Sequence, residues 1–195
     1  MFQNLLPNPL HPAVVHLPIA LTILVPIFAI GALIAIKRGA KVLRAWSIAA
    51  AMLGALSLSA WVSLETGEDQ EEKVEAVVPE QALETHEEAA EAFFILSLGV
   101  LGVAGLGLVG GRVGTAARYT AAVGTLALIV AGYNVGHSGG KLVYTYGAAS
   151  AYTTSGGAGP IDDAPPTRAA GGSFTSPPSP RSTHRAPSGP FRRAP

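Results

Sequence analysis

Among the side chains of this sequence, the histidines offer the most chemistry. Four of the five, His11, His16, His86 and His137, stand at the margins of long apolar runs. The stretch HPAVVHLPIAL, residues 11–21, sets His11 and His16 with Pro12 and Pro18 at the threshold of such a run. A neutral imidazole binds haem iron, zinc or copper, and an ionisable side chain that enters the hydrocarbon boundary is costly enough to mark a functional site by default. The chain has no cysteine, which excludes disulfides, thiolate metal sites, iron–sulfur ligation and c-type haem attachment. Any metal or haem must therefore be held by His, carboxylate or Met. The fifth histidine, His184, belongs to a tail that has little to bury.

What must position these residues is a membrane. At 49% hydrophobic and 13% charged residues, with a mean hydropathy of +0.37, the chain is too apolar for an ordinary soluble domain. Four runs without Asp, Glu, Lys or Arg, Leu17–Ile36, Ala45–Leu64, Ala92–Gly111 and Tyr119–Gly140, each reach the roughly 20 residues that a bilayer core requires. Residues 1–16 carry no Lys or Arg, so the first run lacks the positive region of a signal peptide and is expected to be retained. The links KRGAKVLR and GRVGTAAR carry Lys37, Arg38, Lys41, Arg44, Arg112 and Arg118, whereas 11 of the 13 acidic residues fall between Glu65 and Glu91. By the positive-inside rule, the basic links face the cytoplasm. The N-terminus, the acidic segment and everything after Gly140 then lie outside, periplasmic in a Gram-negative cell. Short links make consecutive helices antiparallel neighbours. The expected fold is thus an all-α, integral membrane four-helix up-down-up-down bundle over 1–149, with a Pro/Gly/Ser/Arg-rich disordered tail over 150–195.

This topology gathers His11, His16, His86 and His137 on one face of the membrane. Thr85 and Glu88 have capping-box spacing, which predicts a helix start that puts His86 in the first turn. From there the helical stripe His86, Ala90, Phe93, Ser97 carries no charge and suits the bundle interior. Pro18 and Pro26 favour a kinked first helix that tilts His16 inward. Gly139 and Gly140 suit a C-cap for the fourth helix, with His137 in its last turn. Tyr133, Tyr144, Tyr146 and Trp61 read as interfacial anchors. Gly107 and Gly111 form a GxxxG, and with Gly99, Gly102 and Gly105 they place the third helix centrally.

Taken together, HPAVVHLPIAL, the TGEDQEE after the second run, the HEEAA that opens the third and the GHSGGKLVYTYGAA after the fourth resemble a bacterial membrane-protein family known as domain of unknown function 2231, over about residues 8–149. The resemblance implies a four-helix inner-membrane domain, found in some relatives beside cytochrome-like or Rieske-like modules. The family's motif histidines map onto His16 and His86, with His137 as a further match, and that mapping suggests haem.

Three functional readings follow. In the first, His16 and His86 are axial ligands of a b-type haem, with His11 or His137 as alternates, and electrons pass between quinol and an external acceptor. Runs one and three lie at diagonal corners of such a bundle, which leaves room for a macrocycle. The second is a non-haem zinc or copper site from His11, His16, His86 and His137 with Glu65, Glu68 or Glu91, at a spacing that matches no standard zinc motif. The third is a structural or assembly subunit of a membrane complex, without cofactor. The lipid bilayer is the assured partner; other membrane subunits, a homodimer and a basic soluble electron carrier on the acidic segment are the further ones considered. That segment otherwise reads as a solvated loop with a short helix between Pro79 and His86. Arg168, Arg181, Arg185, Arg192 and Arg193 make the tail basic, yet it reads as solvated, and no nucleic-acid partner is expected. No nucleophilic triad, phosphate loop or paired catalytic carboxylate occurs, so independent enzyme activity is not expected.

Overall fold

The four uncharged runs become helices that outgrow them. A computed structural model describes residues 10–153. The chain divides into two units, Met1–Ala158 and Gly159–Pro195, and the described residues belong to the first. They form α1 (His11–Val14), α2 (His16–Lys37), α3 (Val42–Glu68), α4 (Glu71–Glu75), α5 (Glu80–Leu106), α6 (Gly111–Tyr144) and α7 (Ser150–Thr153), with no strand among them. The expected tail begins with α7; from residue 154 onward it lies outside the described residues, as does His184.

The α1–α2 stretch together with α3, α5 and α6 makes four spans long and apolar enough to cross a membrane. Their surfaces are those of a protein solvated by lipid: Ile27, Leu58, Ile95 and Val130 are each about 60% exposed. A helix that is apolar all round cannot sit in water. The 27 residues of α3 and α5 extend about 40 Å, and the 34 of α6 about 51 Å. Both lengths exceed a hydrocarbon core of about 30 Å, so the ends protrude.

Contacts between α2 and α3, α3 and α5, α5 and α6, and α6 and α2 close a ring around one core. Trp46, Leu53, Leu56, Val25 and Leu128 fill it, each at most 1% exposed. Neighbouring helices meet beginning to end. Trp46 reaches Ala104, Val100 faces Gly124, Thr22 faces Gly132, and the Lys37 ammonium stands 5.8 Å from the centre of the Tyr119 ring. Mid-core, the hydroxyls of Ser97 and Ser57 share a hydrogen bond of 3.0 Å, a polar contact that joins α5 to α3 where no water is at hand.

The basic end of the bundle is closed by two side chains that serve the last carbonyls of α5. Trp46 Nε1 donates to the Ala104 carbonyl at 2.8 Å. Arg118, 5% exposed, donates from Nη1 to the Gly107 carbonyl at 2.6 Å and from Nη2 to Thr115 Oγ1 at 2.9 Å. The last four carbonyls of a helix have no partner within it, and a cation there also complements the helix dipole. The buried guanidinium is thereby matched with acceptors.

Several expectations are corrected here. Gly99, Gly102 and Gly105 do not centre the third span: a Cβ added at any of them would meet nothing, and α5 is the least buried of the four spans. Gly107 and Gly111 do not share a helix surface, because α5 stops at Leu106 and Gly111 opens α6 with φ +77°. Thr85 caps no helix. The start moves six residues upstream to an N-cap at Pro79, and Thr85 Oγ1 instead donates to the Gln81 carbonyl at 2.7 Å inside α5. Nor does α6 end at Gly139 and Gly140; it runs on to Tyr144, because Leu142 is buried in a small second cluster with Val74, Val78, Leu83 and Ala148.

The latch at the basic end makes a direct prediction. A methyl group at Gly107 would collide with Trp46 Nε1 and the Ala104 carbonyl, so Gly107→Ala is expected to cost about 1–3 kcal/mol as overpacking. Gly102→Ala, at a bare position, should stay within about 0.5 kcal/mol of the parent. Thermal unfolding in detergent reads the difference.

Candidate functional site

At the opposite end from Trp46 and Arg118, two imidazoles are held in the same way. α1 is a single turn with Pro12 in its first positions, and the regular helix is interrupted at Val15, whose backbone stays right-handed, before α2 begins. This turn lays His11 against the end of α3. Its Nδ1 lies 2.9 Å from the Ser63 carbonyl and 3.4 Å from Thr66 Oγ1. A carbonyl only accepts, so the neutral ring carries its proton on Nδ1. Gly67 makes the approach possible, since an added Cβ would stand 3.3 Å from the ring.

His86 sits in the second turn of α5 and leans on α6. Its Nδ1 lies 2.9 Å from Ser138 Oγ. The Ser138 hydroxyl spends its one hydrogen on the Val135 carbonyl at 3.0 Å, so it accepts from His86. Gly139 admits the ring: a Cβ there would come within 3.0 Å of His86 Cε1. Both histidines are partly buried, both are Nδ1–H tautomers when neutral, and each keeps an Nε2 lone pair for a ligand.

The other two candidates are placed differently. His16 is exposed, and its Nδ1 stands 3.3 Å from the Ala13 carbonyl of its own turn. The inward tilt expected from a proline kink is not found. Pro18 lies in the first turn of α2, where its missing N–H costs nothing, and α2 continues past Pro26 to Lys37. Thus His11 and His86 are the two partly buried, anchored histidines, while His16 stands exposed. His137 is exposed and stacks on Tyr133, with ring centres 5.8 Å apart and planes 8° from parallel. Among the described residues no three His, Asp or Glu side chains gather as a metal site, so Glu65, Glu68 and Glu91 are not brought together with the histidines as a ligand set.

The acidic segment is not a loose loop. Val74 and Val78 are buried against Leu83, Leu142 and Ala148. Tyr152 Oη donates to Gln70 Oε1 at 2.8 Å, and partial burial raises the phenol's pKa, which keeps it a donor. α4 and its flanks thereby fold over the acidic end while the carboxylates remain outside this small cluster.

Sequence reasoning missed Ser63, Gly67, Ser138 and Gly139, the residues that receive the two rings. A Gly beside each receiving position, Gly67 in ETGE and Gly139 in HSGG, was the available signal. Because the rings tie α1 to α3 and α5 to α6, His11→Ala and His86→Ala should each lower stability by about 1–2 kcal/mol, while the exposed His16→Ala stays within about 0.5 kcal/mol. Unfolding midpoints of the three variants check this order.

No curated protein and no solved structure matches the chain. A family described as "Predicted membrane protein (DUF2231)" matches residues 7–151, which takes in all four spans and both anchored histidines. With three quarters of its length matched and four membrane-crossing helices in that part, the chain belongs to this family of integral membrane proteins.

Proposed function

We propose that this protein binds one b-type haem at the acidic end of its bundle, that His11 and His86 would hold it, and that the protein would pass electrons between quinol in a bacterial inner membrane and an acceptor outside. The observation that carries this reading is the matched state of the two rings: each Nδ1–H is tied to an oxygen, which fixes the tautomer and presents Nε2. Proteins orient imidazole ligands in this way, and the bond also raises the basicity of the ligating nitrogen. The number of donors favours haem over a bare ion. A structural zinc takes four protein ligands, whereas a porphyrin occupies four positions on iron and asks the protein for only the axial ones. Bound haem would supply one-electron chemistry. The chain's own part is to hold the rings with Ser63 and Ser138.

The orientation supported by the charges is up-down-up-down, with both termini outside. Lys37, Arg38, Lys41, Arg44, Arg112 and Arg118 mark the cytoplasmic end and the carboxylates of 65–91 the outer one. The beginning-to-end pairing of neighbouring helices agrees with that order. Since the chain has no cysteine, single cysteines report topology cleanly. In intact spheroplasts, Glu72→Cys should react with a membrane-impermeant maleimide and Lys41→Cys should react only after lysis.

A second reading, a structural subunit or homodimer, draws on the bare glycines of α5, which offer another span a close approach. An absorption spectrum of the oxidised and dithionite-reduced protein, purified from haem-supplied cells, separates the two. A reduced α-band of a six-coordinate b haem is expected, lost in His11→Ala and His86→Ala and kept in His16→Ala. A colourless protein would leave the subunit reading in its place.

A further inference from the structure

Beside the His86–Ser138 contact, α5 and α6 part to leave a groove of about 430 Å³. The α5 wall mixes Ala82 and Ala89 with Gln81 and Thr85, while Asn134, His137, Ser138 and Lys141 make the α6 wall polar. His137 lies parallel to Tyr133, which makes a flat aromatic surface next to the groove. Below it on α6, Val130 and Leu126 are 63% and 48% exposed, an apolar track into the bilayer. A ligand that fits has a flat polar head and an apolar tail.

Charge narrows the class. Glu84 and Glu88 are exposed in the same turns of α5 as the groove residues Thr85 and Ala89. A field of carboxylates opposes an anionic lipid headgroup, but a neutral head with two carbonyl oxygens meets donors in Lys141 and Asn134. Ser138 belongs to both places: it lines the groove, and its Oγ accepts the His86 proton at 2.9 Å. We infer that the groove binds the ring of a tailed benzoquinone or naphthoquinone, with its carbonyls on Lys141 and Asn134 and its edge one residue from His86. The redox use of this site rests on the haem reading; the binding does not.

The test is photolabelling of the full chain in phosphatidylcholine nanodiscs with an azidobenzoquinone that carries a decyl tail. Label is expected within residues 79–89 and 134–146, and unlabelled decylbenzoquinone should suppress it. Ala89→Phe, which fills the groove, and Lys141→Met, which removes a donor, should each cut competed labelling about tenfold, with helical content unchanged. If either variant misfolds, the competition on the unmodified chain decides. Label scattered over the lipid-facing surface without competition, or suppressed by phosphatidylglycerol and not by the quinone, overturns the assignment. The readout needs no haem, so a missing haem spectrum and a missing competed label are separate results.

Discussion

The hydrocarbon core of a bilayer holds no water to satisfy a peptide group, and this constraint shapes the whole molecule. Every backbone donor and acceptor at that depth must pair within the protein, which leaves uninterrupted helices as the economical answer. The pairing problem then moves to the helix ends and to the few polar side chains inside. At the basic end, Trp46 and Arg118 take the carbonyls with which α5 finishes. Within the core, Ser97 meets Ser57, and Thr125 Oγ1 donates to the Ala122 carbonyl at 2.6 Å. Among the described residues no buried side-chain nitrogen or oxygen lacks a partner.

The two ends solve the same problem with different chemistry. Arg118 is permanently charged, and its guanidinium fork spends its donors on carbonyls and a hydroxyl, which leaves no acceptor for a ligand. Histidine ties one ring nitrogen to the protein and retains the other as a lone pair. An end closed by His11 and His86 is therefore closed and chemically open at once. The glycines that admit the large groups, Gly107 beneath Trp46, Gly67 beneath His11 and Gly139 beneath His86, are places where an added Cβ would crowd the ring it receives. Glycines elsewhere in the spans, such as Gly31, Gly54 and Gly102, would meet nothing with a Cβ and carry no such duty.

The acidic segment extends this logic beyond the membrane. Its carboxylates cannot enter the hydrocarbon, so α5 begins well before its apolar run and α6 continues well after its own. The overhang gives Val74, Val78, Leu83 and Leu142 something to pack against. A second small core follows from the mismatch between helix length and bilayer thickness. The groove beside Ser138 lies in the same overhang, where a tailed ligand can keep its head in the interface.

Spans, helical class and charge asymmetry were legible in the residues alone, because the cost of burying charge in lipid acts on each residue locally and a run of about 20 apolar positions admits one main solution. Helix ends were less so: Thr85 and Gly139 carry good local capping signals, yet packing of Leu83 and Leu142 outweighs them and both helices run on. The site was half legible. His86 was visible as a candidate, but the choice between His11 and His16 was not, because they are five residues apart on either side of a helix break and their facing depends on where the break falls. The sequence by itself determined that histidines collect at the acidic end of a membrane bundle. Only the tertiary structure decided which of them point inward, since that depends on receiving surfaces, Ser63 with Gly67 and Ser138 with Gly139, whose serines lie 52 residues away from each ring in sequence.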